Sequence, residues 1–102
     1  MLTAQIDIPM DEIRAFCAKW KIVELSLFGS VLREDFGDDS DVDVLVVFGP
    51  DETWDYFDWP DMMDELSAMF GGRKIDLVER KTVRNPFLRE HIMSRRRVVY
   101  AA

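Results

Sequence analysis

Apolar residues recur at a readable period along most of the chain. From Pro9 to Trp20, the residues Ile13, Phe16, Cys17 and Trp20 fall on one helical stripe, with Asp11 and Glu12 in the first turn, where acids suit the helix dipole. That spacing predicts a short amphipathic helix. Between Ile22 and Phe28, Val23, Leu25 and Leu27 alternate with Glu24 and Ser26, the two-residue period of a strand, and Gly29-Ser30 ends it. Val31 to Phe36 has room for a helical turn or two before Gly37, and Asp38-Asp39-Ser40 is turn chemistry. Val42 to Phe48 is the clearest strand, interrupted only by Asp43 and stopped by Gly49-Pro50.

In the second half, Asp58 is placed to cap a helix from about Pro60 to Phe70, with Met62, Leu66, Met69 and Phe70 facing inward and Gly71-Gly72 as its stop. Lys74 to Glu79 alternates again, with Ile75, Leu77 and Glu79 set against Lys74, Asp76 and Val78. Asn85-Pro86 opens a further short helix offering Phe87, Leu88, His91 and Ile92 for burial, and Val98 to Tyr100 reads as a short strand or extended tail. Alternating helices and strands predict an α/β (α+β) fold, a mixed sheet of three to five strands flanked by helices. The expected domain is a single one over 1–102.

Composition narrows the function classes. The 102 residues are 48% hydrophobic and carry 13 basic against 20 acidic groups, a net charge of -7. Bulk charge of that sign speaks against direct nucleic-acid binding. A lone cysteine, Cys17, and a lone histidine, His91, exclude an internal disulfide framework, a cysteine-based zinc cluster and any site needing two imidazoles. Both are expected to be packing residues. No apolar run approaches a membrane span and no signal pattern opens the chain, so the expected location is cytoplasmic.

Asp41 and Asp43 carry the most chemistry. Two apart at the start of an apolar strand, they project from one face of it, where they repel each other and are costly to desolvate. A divalent cation removes both penalties, and Mg²⁺ takes one or two protein carboxylates plus substrate phosphate oxygens. The plainer alternative is a turn cap at Asp41 and a solvent-facing Asp43. Gly29-Ser30 directly after a strand offers a second element. Glycine lets backbone approach a phosphate closely, and the serine hydroxyl with adjacent N–H groups can hold its oxygens. Arg33, one helical turn beyond Ser30, falls on the same side.

Gly29-Ser30, ten intervening residues, then Asp41-Val42-Asp43 resembles the signature of the polymerase-β-like nucleotidyltransferase superfamily. Leu27-Phe28-Gly29-Ser30-Val31-Leu32-Arg33 with Ser40-Asp41-Val42-Asp43-Val44-Leu45-Val46 resembles its smallest members, the minimal nucleotidyltransferases, which include MntA-type antitoxins paired with HEPN toxins. The likeness covers residues 20–80 well and 85–100 more loosely. It implies a third carboxylate on a later strand, matched by Asp76 in Lys74-Ile75-Asp76-Leu77-Val78. It further implies that Asp41, Asp43 and Asp76 are catalytic and hold two Mg²⁺ ions, and that Gly29, Ser30, Arg33 and Ser40 bind the nucleotide, with ATP as donor. In-line displacement at a two-metal site then yields a nucleotidylated acceptor and pyrophosphate.

The expected function is transfer of AMP to a hydroxyl, a tyrosine, of a HEPN-type ribonuclease toxin, by its antitoxin. Two alternatives stand beside it: transfer to a small molecule by a homodimer that completes the pocket, and a non-catalytic module that neutralises its partner by occlusion. Thirteen of the twenty acids lie between Glu34 and Glu65, and nine of the thirteen bases between Arg73 and Arg97. This is either solvated surface or an acidic face for a basic partner. Trp54, Tyr56, Phe57 and Trp59 are open to two readings, core cover or interface anchors. Arg95-Arg96-Arg97 is expected as a solvated helix end, with phosphate or partner contact as the alternative.

Overall fold

The computed structural model describes residues 8–29, 41–49 and 58–102. Helix α1 (Met10–Trp20) is followed by strands β1 (Ile22–Phe28) and β2 (Val42–Phe48), helix α2 (Asp58–Met69), strand β3 (Ile75–Glu79), a 3-10 turn (Arg80–Thr82), helix α3 (Pro86–Arg95) and strand β4 (Arg97–Ala101). The sheet is mixed, in the order β3-β2-β1-β4. β1 pairs antiparallel with β2 and β4, whereas β2 runs parallel to β3, joined to it by the crossover that contains α2.

One face of the sheet is the main core. Leu25, Leu27, Val42, Val44, Val46, Ile75 and Leu77 pack there against Ile13, Phe16, Cys17 and Trp20 of α1 and Met62 and Leu66 of α2. α1 ends at Lys21, a left-handed residue whose N–H donates to the Cys17 carbonyl. α2 ends at Gly71 and Gly72, both at positive φ, with the Gly72 N–H donating to the Ser67 carbonyl at 2.8 Å. Burial pushes the Cys17 thiol up to about 12, because a thiolate there would lose its hydration. Trp59 packs edge-on against Phe48, centroids 6.4 Å apart, so this member of the aromatic cluster covers core. The segments holding Trp54, Tyr56 and Phe57, and Val31 to Ser40, lie outside the described residues.

The second face is also covered at its centre, which departs from simple alternation. Ser26 and Leu45 are buried there, and Leu45 shares a small gap with Val83, Ile92 and Met93, so α3 and the segment before it roof this face. A register shift between Ile22 and Glu24 turns Ile22 inward and leaves Val23 exposed, against the expected Val23-Leu25-Leu27 face. Such a bulge inserts one residue and reverses the side-chain order beyond it.

Two expectations for the basic tail and one for α2 are corrected by the structure. Of the four α3 residues offered for burial only Ile92 is buried; Phe87 and Leu88 are exposed, and so is His91, which is not a packing residue. Arg95 ends α3, but Arg96 turns back, half-buried, to within 3.7 Å of the Glu24 carboxylate, and Arg97 already belongs to β4. α2 begins at Asp58 itself, which places that residue in the first turn instead of at the cap.

These contrasts set an expected stability pattern. Leu66→Ala should cost about 2–5 kcal/mol in urea unfolding, since it empties a fully enclosed position. Phe87→Ala should change stability by less than about 0.5 kcal/mol, because that ring is 86% exposed. Cys17 should react with a maleimide at neutral pH only when urea opens the core.

Candidate active site

The carboxylates gather where three strands meet. β2 begins beside the residue preceding β3, the Val42 N–H donating to the Lys74 carbonyl at 2.9 Å. This bond fixes the parallel register, which sets Asp43 directly opposite Asp76. On the other side of β2, Asp43 is opposite Phe28. Register partners project from the same face, so Asp43 and Asp76 stand side by side on neighbouring strands about 4.8 Å apart. Their side is the α3 side of the sheet, shared with Leu45 two residues further along β2. Asp41 is two residues before Asp43, immediately ahead of the strand; both are half-buried, while Asp76 is exposed.

Gly29 closes the arrangement from β1. It follows Phe28 with φ 69°, a backbone that side chains rarely adopt. A Cβ built on it would stand 2.2 Å from Asp43 Oδ2 and 3.1 Å from Asp43 Cγ. Backbone therefore lies against the carboxylate with no room for a side chain. The dihedral favours glycine outright, and any side chain here would also have to displace the Asp43 carboxylate.

The structure thus brings together Gly29, Asp43 and Asp76, with Asp41 at the adjoining strand start. Ser30, Arg33 and Ser40 lie outside the described residues. Among the described residues no three His, Cys, Asp or Glu side chains form a ready metal cage. An oxygen-only donor set, a like-charged pair and a bare-backbone approach fit Mg²⁺ with a phosphate group. They offer nothing to a softer metal.

The sequence reading had no signal for the contact between Gly29 and Asp43. Gly-Ser after a strand marks a turn, but only the β1–β2 register shows which carboxylate that turn meets.

Gly29→Ala should lose nucleotide-dependent activity and lower the melting temperature together, through strain at positive φ and displacement of Asp43. Circular dichroism with an activity assay on the same preparation checks both.

Comparison with known proteins shows the family and the fold. The family profile described as a nucleotidyltransferase domain matches residues 10–99. A Methanocaldococcus jannaschii protein named "Putative protein adenylyltransferase MJ0128" is 36% identical over 74 residues, 72% of each chain. A crystal structure of a toxin–antitoxin pair with AMP-PNP superposes with a TM-score of 0.74 at 18% identity, covering 93% of this chain and 75% of that one. A structure of a "putative minimal nucleotidyltransferase" superposes with a TM-score of 0.66 at 27% identity, over 93% and 98% of the two chains.

Proposed function

The chain belongs to the nucleotidyltransferase domain family, with the polymerase-β-like fold, and from that premise we propose that it transfers AMP from ATP to a hydroxyl of a partner protein. The observation that carries the site is the bare-backbone approach of Gly29 to Asp43, which is itself paired with Asp76. The relative named as a protein adenylyltransferase supports AMP and a protein acceptor. The toxin–antitoxin neighbour with AMP-PNP supports a toxin as that acceptor. In this reading residues 1–102 act as one minimal nucleotidyltransferase domain, working in the cytoplasm as the antitoxin of a HEPN-type ribonuclease, with a tyrosine as the modified residue.

Asp41, Asp43 and Asp76 would hold two Mg²⁺ ions. When bound, the ions supply positive charge against the triphosphate and stabilise charge on the attacking and leaving oxygens. The chain's own residues do the positioning. Gly29, with Ser30, Arg33 and Ser40, seats the nucleotide: the glycine admits the phosphate to the backbone, the hydroxyls donate to its oxygens, and the guanidinium adds charge. Asp76, the outermost of the carboxylates and the exposed one, accepts the proton of the acceptor hydroxyl. The hydroxyl oxygen bonds to the α-phosphorus as the bond to the bridging oxygen breaks, giving the AMP ester and pyrophosphate.

Asp43→Asn and Asp76→Asn should each reduce transfer of labelled AMP to the partner to background. Without metal, either variant should be as stable as the parent or more stable by about 0.2–1 kcal/mol, because two like charges no longer face each other across the strands. Mg²⁺ should raise the parent's melting temperature more than that of either variant. Neutralisation of the toxin by the double variant would favour occlusion, and full transfer by it would place the active site elsewhere.

A further inference from the structure

α3 presents a face that contributes almost nothing to the fold. Phe87 is 86% exposed and Leu88 51%, two of the four large apolar side chains exposed among the described residues. They are held in place nonetheless. The Asn85 side chain accepts from the Phe87 N–H at 2.9 Å and from the Leu88 N–H at 3.2 Å, and Pro86 fixes the first helical position. His91 and Arg95 continue the exposed side at helical spacing, whereas Ile92 and Met93 face the sheet. A preordered, unpartnered aromatic-aliphatic pair has the character of an interface anchor.

Charge and position identify what covers it. Residues 80–97 hold seven basic groups and one acid, in a chain whose net charge is -7. Lys81, Arg84 and Arg95 are exposed in the same stretch, Arg84 shortly before the apolar pair and Arg95 on the exposed side of α3. The occupant therefore carries carboxylates around an apolar recess. α3 also roofs the sheet face from which Asp43 and Asp76 project, so whatever docks on it lies on the carboxylates' side of the molecule. The net charge of -7 disfavours a polyanion such as a nucleic acid as the occupant and leaves a protein.

We propose that the exposed face of α3, anchored by Phe87 and Leu88 and rimmed by Arg84 and Arg95, is the docking surface for the acceptor protein, engaging an apolar recess edged with acidic side chains. This rests on the reading of the chain as a transferase acting on a protein. Docking here binds the acceptor independently of its reacting hydroxyl, so it acts on acceptor KM and leaves nucleotide binding alone.

The probe is the purified protein encoded beside this chain's gene, tested for binding by calorimetry and for labelled AMP transfer. The double variant Phe87→Ser/Leu88→Ser should weaken the complex about 10- to 100-fold and raise the acceptor KM correspondingly, with Mg-ATP affinity and melting temperature unchanged. Arg84→Glu/Arg95→Glu, at two exposed positions, should slow association and flatten its salt dependence. Parental affinity in both double variants overturns the proposal, as does a parent that forms no complex. It is also overturned if the patch proves to mediate self-association, or to bind a single-stranded RNA oligomer more tightly than the protein. A complex that forms and is weakened by these variants, yet carries no AMP, upholds the docking surface and removes the transfer reading instead.

Discussion

The parallel pairing of β2 with β3 is the constraint on which the site depends. Asp43 and Asp76 are separated by α2 and the crossover, and nothing local relates them. Only the register anchored at Val42 N–H and Lys74 C=O sets them opposite each other. Slipping that register by one residue would send one carboxylate into the core, beside Val44 and Leu77. The burial of Val42, Val44, Val46, Ile75 and Leu77 is thus also what fixes the chemistry, since it makes every other register more costly. The same register sets two carboxylates opposite each other on neighbouring strands.

Much of this architecture was legible in the sequence. β1 and β2 have the bounds that alternation predicts, and α1 buries the four residues of its stripe. These are segments where burial is one-sided or complete, so polarity tracks position. The carboxylates were legible because acids inside apolar strands need a reason. Their mutual placement was not, because strand order and register arise from packing between segments far apart in sequence.

The misreadings have a common physical origin. Phe87, Leu88 and His91 were assigned to burial on the premise that apolar or aromatic groups at helical spacing face inward. α3 meets the sheet through Ile92 and Met93 on a narrower side. Val23 was misplaced because a bulge leaves no trace in an alternating pattern. Arg96 belongs to a run that reads as solvated, but the Glu24 carboxylate and the Met93 carbonyl, which accepts from its guanidinium, fold it back onto the protein. Exceptions of this kind cluster on the second face of the sheet, where short elements cover a surface that the sequence marks only weakly.

The place of β4 has a consequence for how the molecule assembles during synthesis. Among the described residues β4 is an edge strand that pairs with β1 alone, and α3 precedes it in the chain. Asp41, Asp43 and Asp76 are made before either element emerges, so β1, β2 and β3 can form their ladder first. In that interval one side of β1 carries unpaired backbone groups next to Leu25 and Leu27, a template for pairing with another chain. Contacts this distant in sequence form slowly because the intervening chain must close first. Closure of the β1 edge by β4 is therefore the late step that separates a folded molecule from an aggregation-prone one.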